Sequence, residues 1–291
     1  MRRINIHILL KCGKDARHNN FNNLLSVYNS FQLIKKYIRY YRTASNSKGH
    51  GMHSPFVFDF ILHVLNNGKR YTAPPEIEKL RKEYLADKTV LEIEDLGAGS
   101  RIQSKRQKQV AKLAQTALKP KKYAQVLYRL IKHYQPKTII ELGTSLGITT
   151  AYLAAANPKA NVITIEGSSS VMNVAKSGFK KLNLDHILAL TGHFDQVLPT
   201  VLGQFATVDL VYIDGNHRYQ PTINYFLQCL AKSGNDTILV FDDIHWSEEM
   251  EKAWEEIKAH PSVQYTIDIF FLGFVFFRND FKVKQNFVIR F

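Results

Sequence analysis

Acidic residues directly follow two apolar runs of this sequence. Asp214 follows the run 208–213, and Asp242 and Asp243 follow the run 237–241. Ligand sites in open α/β sheets lie beyond the carboxyl ends of the strands, so we expect these side chains to converge. Converging carboxylates repel one another unless they are protonated or bridged by a cation, and their oxygens suit Mg²⁺. The aspartates therefore predict a magnesium site; the alternative is that they serve cofactor binding or helix capping alone.

The segment 138–147 has the order of residues found in a nucleotide-binding turn. A β-branched run ends in Glu141, Gly143 and Gly147 follow before an alanine-rich helical stretch, and a second apolar run ends in Glu166. That order matches a strand, a glycine turn, a helix, a second strand and an acid for a ribose hydroxyl. The glycine spacing is G-x-x-x-G, whereas dinucleotide sites present G-x-G-x-x-G to a pyrophosphate at a helix N-terminus.

The charge of this loop selects among nucleotides. Glu141, two residues before the first glycine, would repel a phosphate but suits a ligand with an ammonium and a sulfonium. S-adenosylmethionine (SAM) is such a ligand, so the loop predicts a methyl-donor site. The alternative is that the glycines only allow a tight reversal of the chain. Glu166 and the acids after the later strands favour SAM.

The elements that must position these residues alternate regularly. Strands at 138–142, 161–166, 187–191, 208–213 and 237–241 are separated by helical stretches near 146–156, 169–182, 194–203, 218–232 and 247–259. This alternation predicts a parallel sheet covered on both faces. The tail differs, since the aromatic and β-branched runs 263–269, 271–278 and 286–290 leave no room for helices between them. We expect these strands to pair antiparallel, at least in part.

The N-terminal part is strongly basic. Residues 1–122 hold 24 Lys/Arg and 9 Asp/Glu, whereas residues 123–291 hold 15 and 16. Such a part can meet nucleic acid, an anionic membrane or an acidic substrate, or can simply be solvated. Within 24–42, helical spacing of apolar residues predicts a basic amphipathic helix, with its stripe at 24, 27, 28, 31, 34, 38 and 41. That stripe docks on the protein's own core, or it lies on anionic lipid.

The segment before the alternating part reads as loops and helices. Residues 1–23 lack periodicity, and we expect them to be loosely structured. After a polar linker with His50 and His53, which lack a third metal ligand, Ser54 and Pro55 predict a helix start. That helix would end near Asn67-Gly68.

A second glycine pattern, Gly97-Ala98-Gly99, follows an alternating run rather than a continuously apolar one. Buried parallel strands are nearly continuously apolar, so this pattern is a poor candidate for the cofactor turn. We expect a loop near the site at 95–101, with helices following at 103–118 and 120–134.

Composition limits the class of protein. A chain of 291 residues that is 45% hydrophobic can bury a full α/β core. The two cysteines, Cys12 and Cys229, lie far apart, which argues against a disulfide scaffold and fits a reducing cytoplasm. No apolar run approaches the roughly 18 residues of a membrane span, and the basic start lacks a signal cleavage site. We therefore expect a cytoplasmic protein.

From Lys119 to Ile244 these features resemble the class I SAM-dependent methyltransferases. They are most similar to the cation-dependent O-methyltransferases of the catechol and caffeoyl-CoA type and to related bacterial enzymes. The resemblance implies an α/β fold with a doubly wound, mostly parallel seven-stranded sheet, antiparallel C-terminal strands and an N-terminal helical extension. It divides the chain into a basic extension (1–47), a helical cap over the substrate (48–118) and a methyltransferase domain (119–291).

The resemblance also implies roles for the acids. Asp214 would bind the metal and approach the methionine amino group of SAM, and the family's acid–amide pair falls on Asp242 and Asp243. The second aspartate is a departure from that pattern. Where catechol-type enzymes carry a lysine as general base, this chain has His217. Its ordinary pKa of about 6.5 suits removal of a hydroxyl proton, which Mg²⁺ would assist; the alternative is a histidine that orders the turn.

For the cofactor, the resemblance places the ribose hydroxyls at Glu166 and the methionine end at Gly143. Phe194 would stack on adenine, although a core aromatic residue is the alternative. The predicted SAM site comprises Glu141, Gly143, Thr144, Ser145, Gly147, Glu166, His193, Phe194 and Asp214.

The sequence therefore predicts a SAM-dependent O-methyltransferase of a small molecule, with Asp214 and His217 as catalytic residues. A ribose methyltransferase of nucleic acid is the alternative suggested by the basic part, although the chain lacks the Asn/Asp-Pro-Pro-aromatic tetrapeptide of base-methylating enzymes. A third hypothesis is a SAM-binding regulatory or scaffold protein whose basic helix attaches it to a membrane or partner. The aromatic tail from Phe270 to Phe291 would suit a homodimer contact.

Overall fold

The structure, a computed structural model, describes residues 27–45, 54–68, 70–94 and 105–291. Residues 1–23, the two linker histidines and the Gly97-Ala98-Gly99 pattern lie outside these ranges. The N-terminal elements are α1 (Ser30–Thr43), α2 (Pro55–Phe60) with a π-helical turn at Ile61–Leu65, α3 (Pro75–Ala86), β1 (Val90–Glu94), β2 (Lys105–Gln109) and α4 (Val110–Ala117).

The alternating part follows the predicted order. Its elements are α5 (Lys121–Tyr134), β3 (Thr138–Leu142), α6 (Ile148–Ala156), β4 (Asn161–Glu166), α7 (Ser169–Lys181), β5 (Ile187–Thr191), α8 (Phe194–Gly203), β6 (Val208–Ile213), α9 (Tyr219–Leu230), β7 (Ser233–Asp242) and α10 (Glu248–Ala259). Three strands complete it: β8 (Tyr265–Asp268), β9 (Leu272–Phe276) and β10 (Gln285–Val288).

These strands form one doubly wound sheet in the order β10-β8-β9-β7-β6-β3-β4-β5. Strands β3 to β7 pair in parallel, and β9 pairs antiparallel with both β7 and β8. The predicted mostly parallel α/β fold with antiparallel C-terminal strands is confirmed. The sheet has eight strands among the described residues rather than seven, because β10 adds in parallel to β8.

Burial on both faces explains the apolar runs of the central strands. All five residues of β3 and of β9 are buried, and so are the last six residues of β7. Separate clusters of apolar side chains pack against the two faces of the sheet. The tail aromatics belong to these clusters, since Phe270, Phe274 and Phe276 are buried within the chain itself.

The segment 103–118 differs from the prediction of one continuous helix. Its first described residues form β2, which pairs antiparallel with β1 as a two-stranded sheet apart from the main one, and the helix α4 begins only at Val110. The polar run Lys105–Gln109 has little strand propensity, so its conformation depends on the pairing partner rather than on local sequence. The helix predicted from Ser54 is present as α2, with Ser54 as its N-cap.

The amphipathic helix α1 docks on the protein's own core. Leu33 and Tyr40 are buried, and the Tyr37 ring meets Phe270 edge-on at 5.0 Å between centroids. The buried face is rotated from the predicted stripe, so that Phe31 remains 77% exposed. No helix among the described residues is both long and apolar enough to cross a membrane.

Leu33→Ala should lower the free energy of unfolding by about 2–4 kcal/mol, because truncating a buried leucine leaves a cavity. Phe31→Ala, two residues away on the exposed face, should change it by less than about 0.5 kcal/mol. Urea denaturation followed by circular dichroism measures both variants. Equal effects would mean that α1 is not docked in solution.

Candidate active site

A cavity of about 770 Å³ opens at the carboxyl ends of the parallel strands. This volume lies within the usual range for small-molecule sites. Residues of helix α4 and of the segment up to Lys121 also line it. Of the residues that the sequence predicts for the site, eight line the cavity: Gly143, Ser145, Glu166, Phe194, Asp214, His217, Asp242 and Asp243.

Gly143 allows the turns after β3 and β6 to pack directly on each other. Its φ is 103°, and a Cβ atom would lie 2.0 Å from the carbonyl oxygen of Asp214. The amide of Asp214 donates to the carbonyl oxygen of Leu142 at 2.9 Å, which holds the two turns together. A side chain at residue 143 would therefore push Asp214 out of position.

Glu166 is held by the backbone at the edge of the cavity. Its Oε2 accepts a hydrogen bond from the Ser145 amide at 2.8 Å, and its Oε1 accepts one from the Ser168 amide at 3.1 Å. Burial raises the pKa of this carboxyl group, although the backbone donors oppose the shift. The position is that expected of an acid after the second strand, and the carboxylate is fixed before any ligand binds.

Glu141 lies beneath the cavity and not in its wall. Its side chain is fully buried, and its Oε2 accepts hydrogen bonds from the hydroxyls of Thr150 at 2.5 Å and Thr164 at 2.6 Å. Burial raises its pKa to about 8, even though both hydroxyls lower it. Glu141 therefore supports the loop in a largely protonated form at neutral pH. The expectation that a Glu141 carboxylate attracts the charged groups of SAM by direct contact is not met, because the side chain is fully buried.

Of the remaining predicted cofactor residues, one lines the cavity and three do not. Phe194 lies in the wall, where a Cβ atom on Gly215 would come within 2.5 Å of its ring. Thr144 is buried, with its hydroxyl 2.6 Å from that of Thr164. Gly147, with a φ of 76°, is the N-cap of α6, and His193 is the N-cap of α8; neither lines the cavity.

A buried lysine lies among the predicted metal ligands. The Nζ of Lys119 forms an ion pair with Asp242 and lies 3.9 Å from Asp243. Lys119 is 7% exposed and Asp242 is 1% exposed. Burial lowers the pKa of Lys119, but the carboxylates of Asp242, Asp243 and Asp214 outweigh burial and raise it, so the ammonium stays charged.

The carboxyl groups of Asp214 and Asp242 shift each other's pKa in opposite directions. Burial raises the pKa of Asp214, but Lys119 and His217 lower it more, and it lies well below the usual range. Burial and the Asp214 carboxylate raise the pKa of Asp242 well above its usual range. This is the behaviour of two interacting acids that share one proton.

His217 lies beside Asp214 in the turn after β6. Its Nε2 lies 3.5 Å from Oδ1 of Asp214, and its side chain is 30% exposed. Burial lowers its pKa, but the Asp214 and Asp243 carboxylates prevail and raise it above 6.5. The Tyr212 hydroxyl donates to Oδ2 of Asp214 at 2.9 Å, so the acid that faces His217 is itself fixed.

Comparison with known proteins identifies the domain that builds this cavity. A family model described as a methyltransferase domain matches residues 140–244. The chain contains a methyltransferase domain. A catechol O-methyltransferase from Niastella koreensis is 30% identical over 146 residues, which are 49% of this chain and 62% of that protein. The chain thus matches less than two thirds of the relative's length.

Solved structures share the fold of this methyltransferase domain. The SAH-bound methyltransferase PaMTH1 of Podospora anserina has a TM-score of 0.56 at 14% identity, over 73% of this chain and 92% of its own. An O-methyltransferase from Bacillus cereus in complex with SAH has a TM-score of 0.54 at 19% identity, over 71% and 93%. The predicted resemblance to class I SAM-dependent methyltransferases is thereby confirmed.

The acids of the methyltransferase domain do not form a ready magnesium site. Oδ1 of Asp242 has no hydrogen-bond partner among the described residues, which would suit a ligand, but its Oδ2 already holds the Lys119 ammonium. Within the described ranges, three potential metal ligands whose atoms lie within 4.8 Å of one another are found only at Asp59, His63 and His133.

That second group lies at the other end of α5 from Lys119. There the imidazole nitrogens of His63 and His133 lie 2.8 Å and 2.6 Å from the two carboxylate oxygens of Asp59. Hydrogen bonds account for both contacts, because each imidazole can donate to its own oxygen.

Sequence reasoning missed Lys119 as a site residue. Nothing in the local sequence distinguishes it from its neighbours, since it begins a Lys-Pro-Lys-Lys run before a helix. Two features could have indicated its role. Lys119 is the first residue of the segment that resembles the methyltransferases, and the predicted cluster of aspartates needs a cation.

The burial of Glu141 predicts a pH dependence of stability. Its pKa is about 8 in the folded state against 4.5 ordinarily, so the folded protein keeps a proton that the unfolded chain has lost. Stability should therefore fall as pH rises from 5 to 8. Glu141→Gln removes this fall, so the variant should gain on the order of 3 kcal/mol relative to wild type across that range. Urea denaturation at several pH values measures the difference.

Glu76→Gln, at an exposed position, is the matched control and should show the wild-type pH dependence. A Glu141→Gln curve parallel to that of wild type would contradict the raised pKa.

Proposed function

We propose that this protein transfers the methyl group of SAM to a hydroxyl of a small molecule. The observation that carries the proposal is the placement of Glu166, Asp214 and His217 around one cavity above the Gly143 turn of the methyltransferase domain. The match to a catechol O-methyltransferase supports the choice of a hydroxyl acceptor.

The cofactor would lie across the carboxyl ends of β3, β4 and β6. Glu166 would accept hydrogen bonds from the ribose hydroxyls, since each of its oxygens has a second lone pair after bonding the backbone. Asp214, ionised at neutral pH, would attract the methionine ammonium. Phe194 would stack on adenine from the wall.

The acceptor would occupy the part of the cavity near His217. The cavity is lined by apolar and aromatic side chains as well as polar ones, among them Leu113, Tyr123, Trp246 and Phe271. Such walls suit a small acceptor with a planar or apolar body and a reactive hydroxyl.

Methyl transfer needs a base for the hydroxyl proton and an acceptor oxygen aligned with the C–S bond of SAM. Neutral His217 takes the hydroxyl proton at an imidazole nitrogen, and the acceptor oxygen attacks the methyl carbon in line with the C–S bond. The new O–CH₃ bond forms as the C–S bond breaks, which leaves SAH and a protonated His217. Asp214 stabilises that imidazolium through the contact between its Oδ1 and Nε2. Mg²⁺ has no role in this mechanism, because the Lys119 ammonium already pairs with Asp242, one of the predicted metal ligands.

Replacement of His217 tests the base. His217→Ala should lower kcat by about 10²- to 10⁴-fold, the usual contribution of a general base, and leave SAM affinity within a few fold. Transfer of labelled methyl to a panel of hydroxyl acceptors, beginning with catechol, measures kcat; calorimetry measures SAM binding. A loss confined to SAM affinity would show that the residue only orders the turn.

The pH profile gives an independent readout. Because the base must be neutral and the pKa of His217 is raised, wild-type activity should rise with pH through a midpoint above 6.5. His217→Gln should lose that rise. His186→Ala, which removes a histidine just before the edge strand β5, should keep it. Absence of SAM binding by the wild-type protein would overturn the proposal as a whole.

A further inference from the structure

We propose that the Lys119 ammonium takes the place of a divalent cation in the acid cluster, so that this domain binds no metal there and needs none for methyl transfer. The first half of this proposal concerns metal binding alone. The second half rests on the proposed function.

The geometry is that of an occupied cation site. The ammonium lies against Asp242, 3.9 Å from Asp243, and within the field of the Asp214 carboxylate. A divalent ion bound by the same oxygens would lie a few ångströms from the Lys119 ammonium. Their mutual repulsion opposes entry of the ion, since like charges at this distance repel strongly away from bulk water.

The backbone of Lys119 is fixed from outside the cluster. Nη1 of Arg81, on α3, donates to the carbonyl oxygen of Lys119 at 2.8 Å. Arg81 is itself held by an ion pair with Glu78 at 2.9 Å, and Glu78 accepts a hydrogen bond from the Tyr152 hydroxyl at 2.6 Å. Pro120 follows directly as the N-cap of α5, with its ring fixing φ at −55°. Contacts from α3, α6 and the start of α5 therefore hold the Lys119 backbone where its side chain reaches the acids.

The ammonium also has a use in the cavity. Lys119 lines the same space as His217. The same positive charge lies near the space where an acceptor oxygen would become negative, the position at which a fixed cation stabilises a transition state.

Mn²⁺ binding followed by electron paramagnetic resonance tests the metal half without SAM or an acceptor. All proteins carry His133→Ala, which removes the separate Asp59-His63-His133 group as a source of binding. The reference protein should show no saturable site that depends on Asp242. Lys119→Ala should gain one Mn²⁺ site, at least tenfold tighter than any in the reference, and Lys119→Ala/Asp242→Asn should lose it.

Lys121→Ala is the matched control, since it removes an exposed lysine two residues away and should gain no site. If Lys119→Ala fails to fold by circular dichroism, the reference protein and Lys119→Arg decide. Absence of an Asp242-dependent site in both supports the proposal. A stoichiometric Mn²⁺ site in the reference protein that Asp242→Asn abolishes overturns it, and so does a folded Lys119→Ala that gains no site.

Activity tests the second half. Wild-type transfer to an accepted hydroxyl should stay within about twofold between an excess of EDTA and added Mg²⁺. A tenfold or greater loss in EDTA overturns metal independence. If no acceptor is turned over, the proposed function fails while the Mn²⁺ result still stands.

Discussion

A single ammonium group lies among three carboxyl groups at the carboxyl edge of the sheet. Lys119 and Asp242 are both nearly inaccessible to solvent, so water cannot replace the contact between them. Removing one partner of a buried ion pair commonly costs about 3–5 kcal/mol, because the other charge is left uncompensated. The position of α5 against the sheet is thus tied to the ends of β6 and β7, and the shape of the cavity follows from it.

Elements from the N-terminal part support this arrangement at two points. Helix α3 fixes the backbone of Lys119 through Arg81. Helix α1 fixes the loop after β7, since Lys36 pairs with Glu251 at 2.8 Å and Glu251 lies 3.0 Å from Nδ1 of His245. The other nitrogen of His245 lies 2.8 Å from Asp268, which begins the turn into β9. The methyltransferase domain therefore does not position its own acids unaided.

Much of the fold and part of the site could be predicted from local patterns. Continuously apolar runs such as 138–142 predict buried parallel strands, and the topology then brings Glu166, Asp214 and Asp242 to one edge. Prediction from sequence is weaker wherever the deciding contact is distant along the chain. The polar run Lys105–Gln109 is a strand only because β1 pairs with it, and α1 turns Leu33 rather than Phe31 inward because of what it meets.

Charge was the least predictable property. A glutamate in a sequence suggests a negative group, but the burial of Glu141 raises its pKa to about 8 and makes it a largely neutral part of the loop. The aspartates suggest a metal because a cation must relieve their mutual repulsion. A cation is indeed present among them, the Lys119 ammonium. That lysine lies 123 positions before Asp242 in the sequence, so no local pattern around the aspartates predicts the contact.

The docking of α1 has a consequence for how the chain is made. The Tyr40 hydroxyl donates to the carbonyl oxygen of Ile289, 249 positions later, and Lys36 pairs with a residue 215 positions later. During synthesis the ribosome must therefore reach Glu251 and then Ile289 before the helix can make these contacts. For that interval its apolar face is exposed to chaperones and to other nascent chains. Docking of the N-terminal helix is then a late step in the folding of residues 27–291.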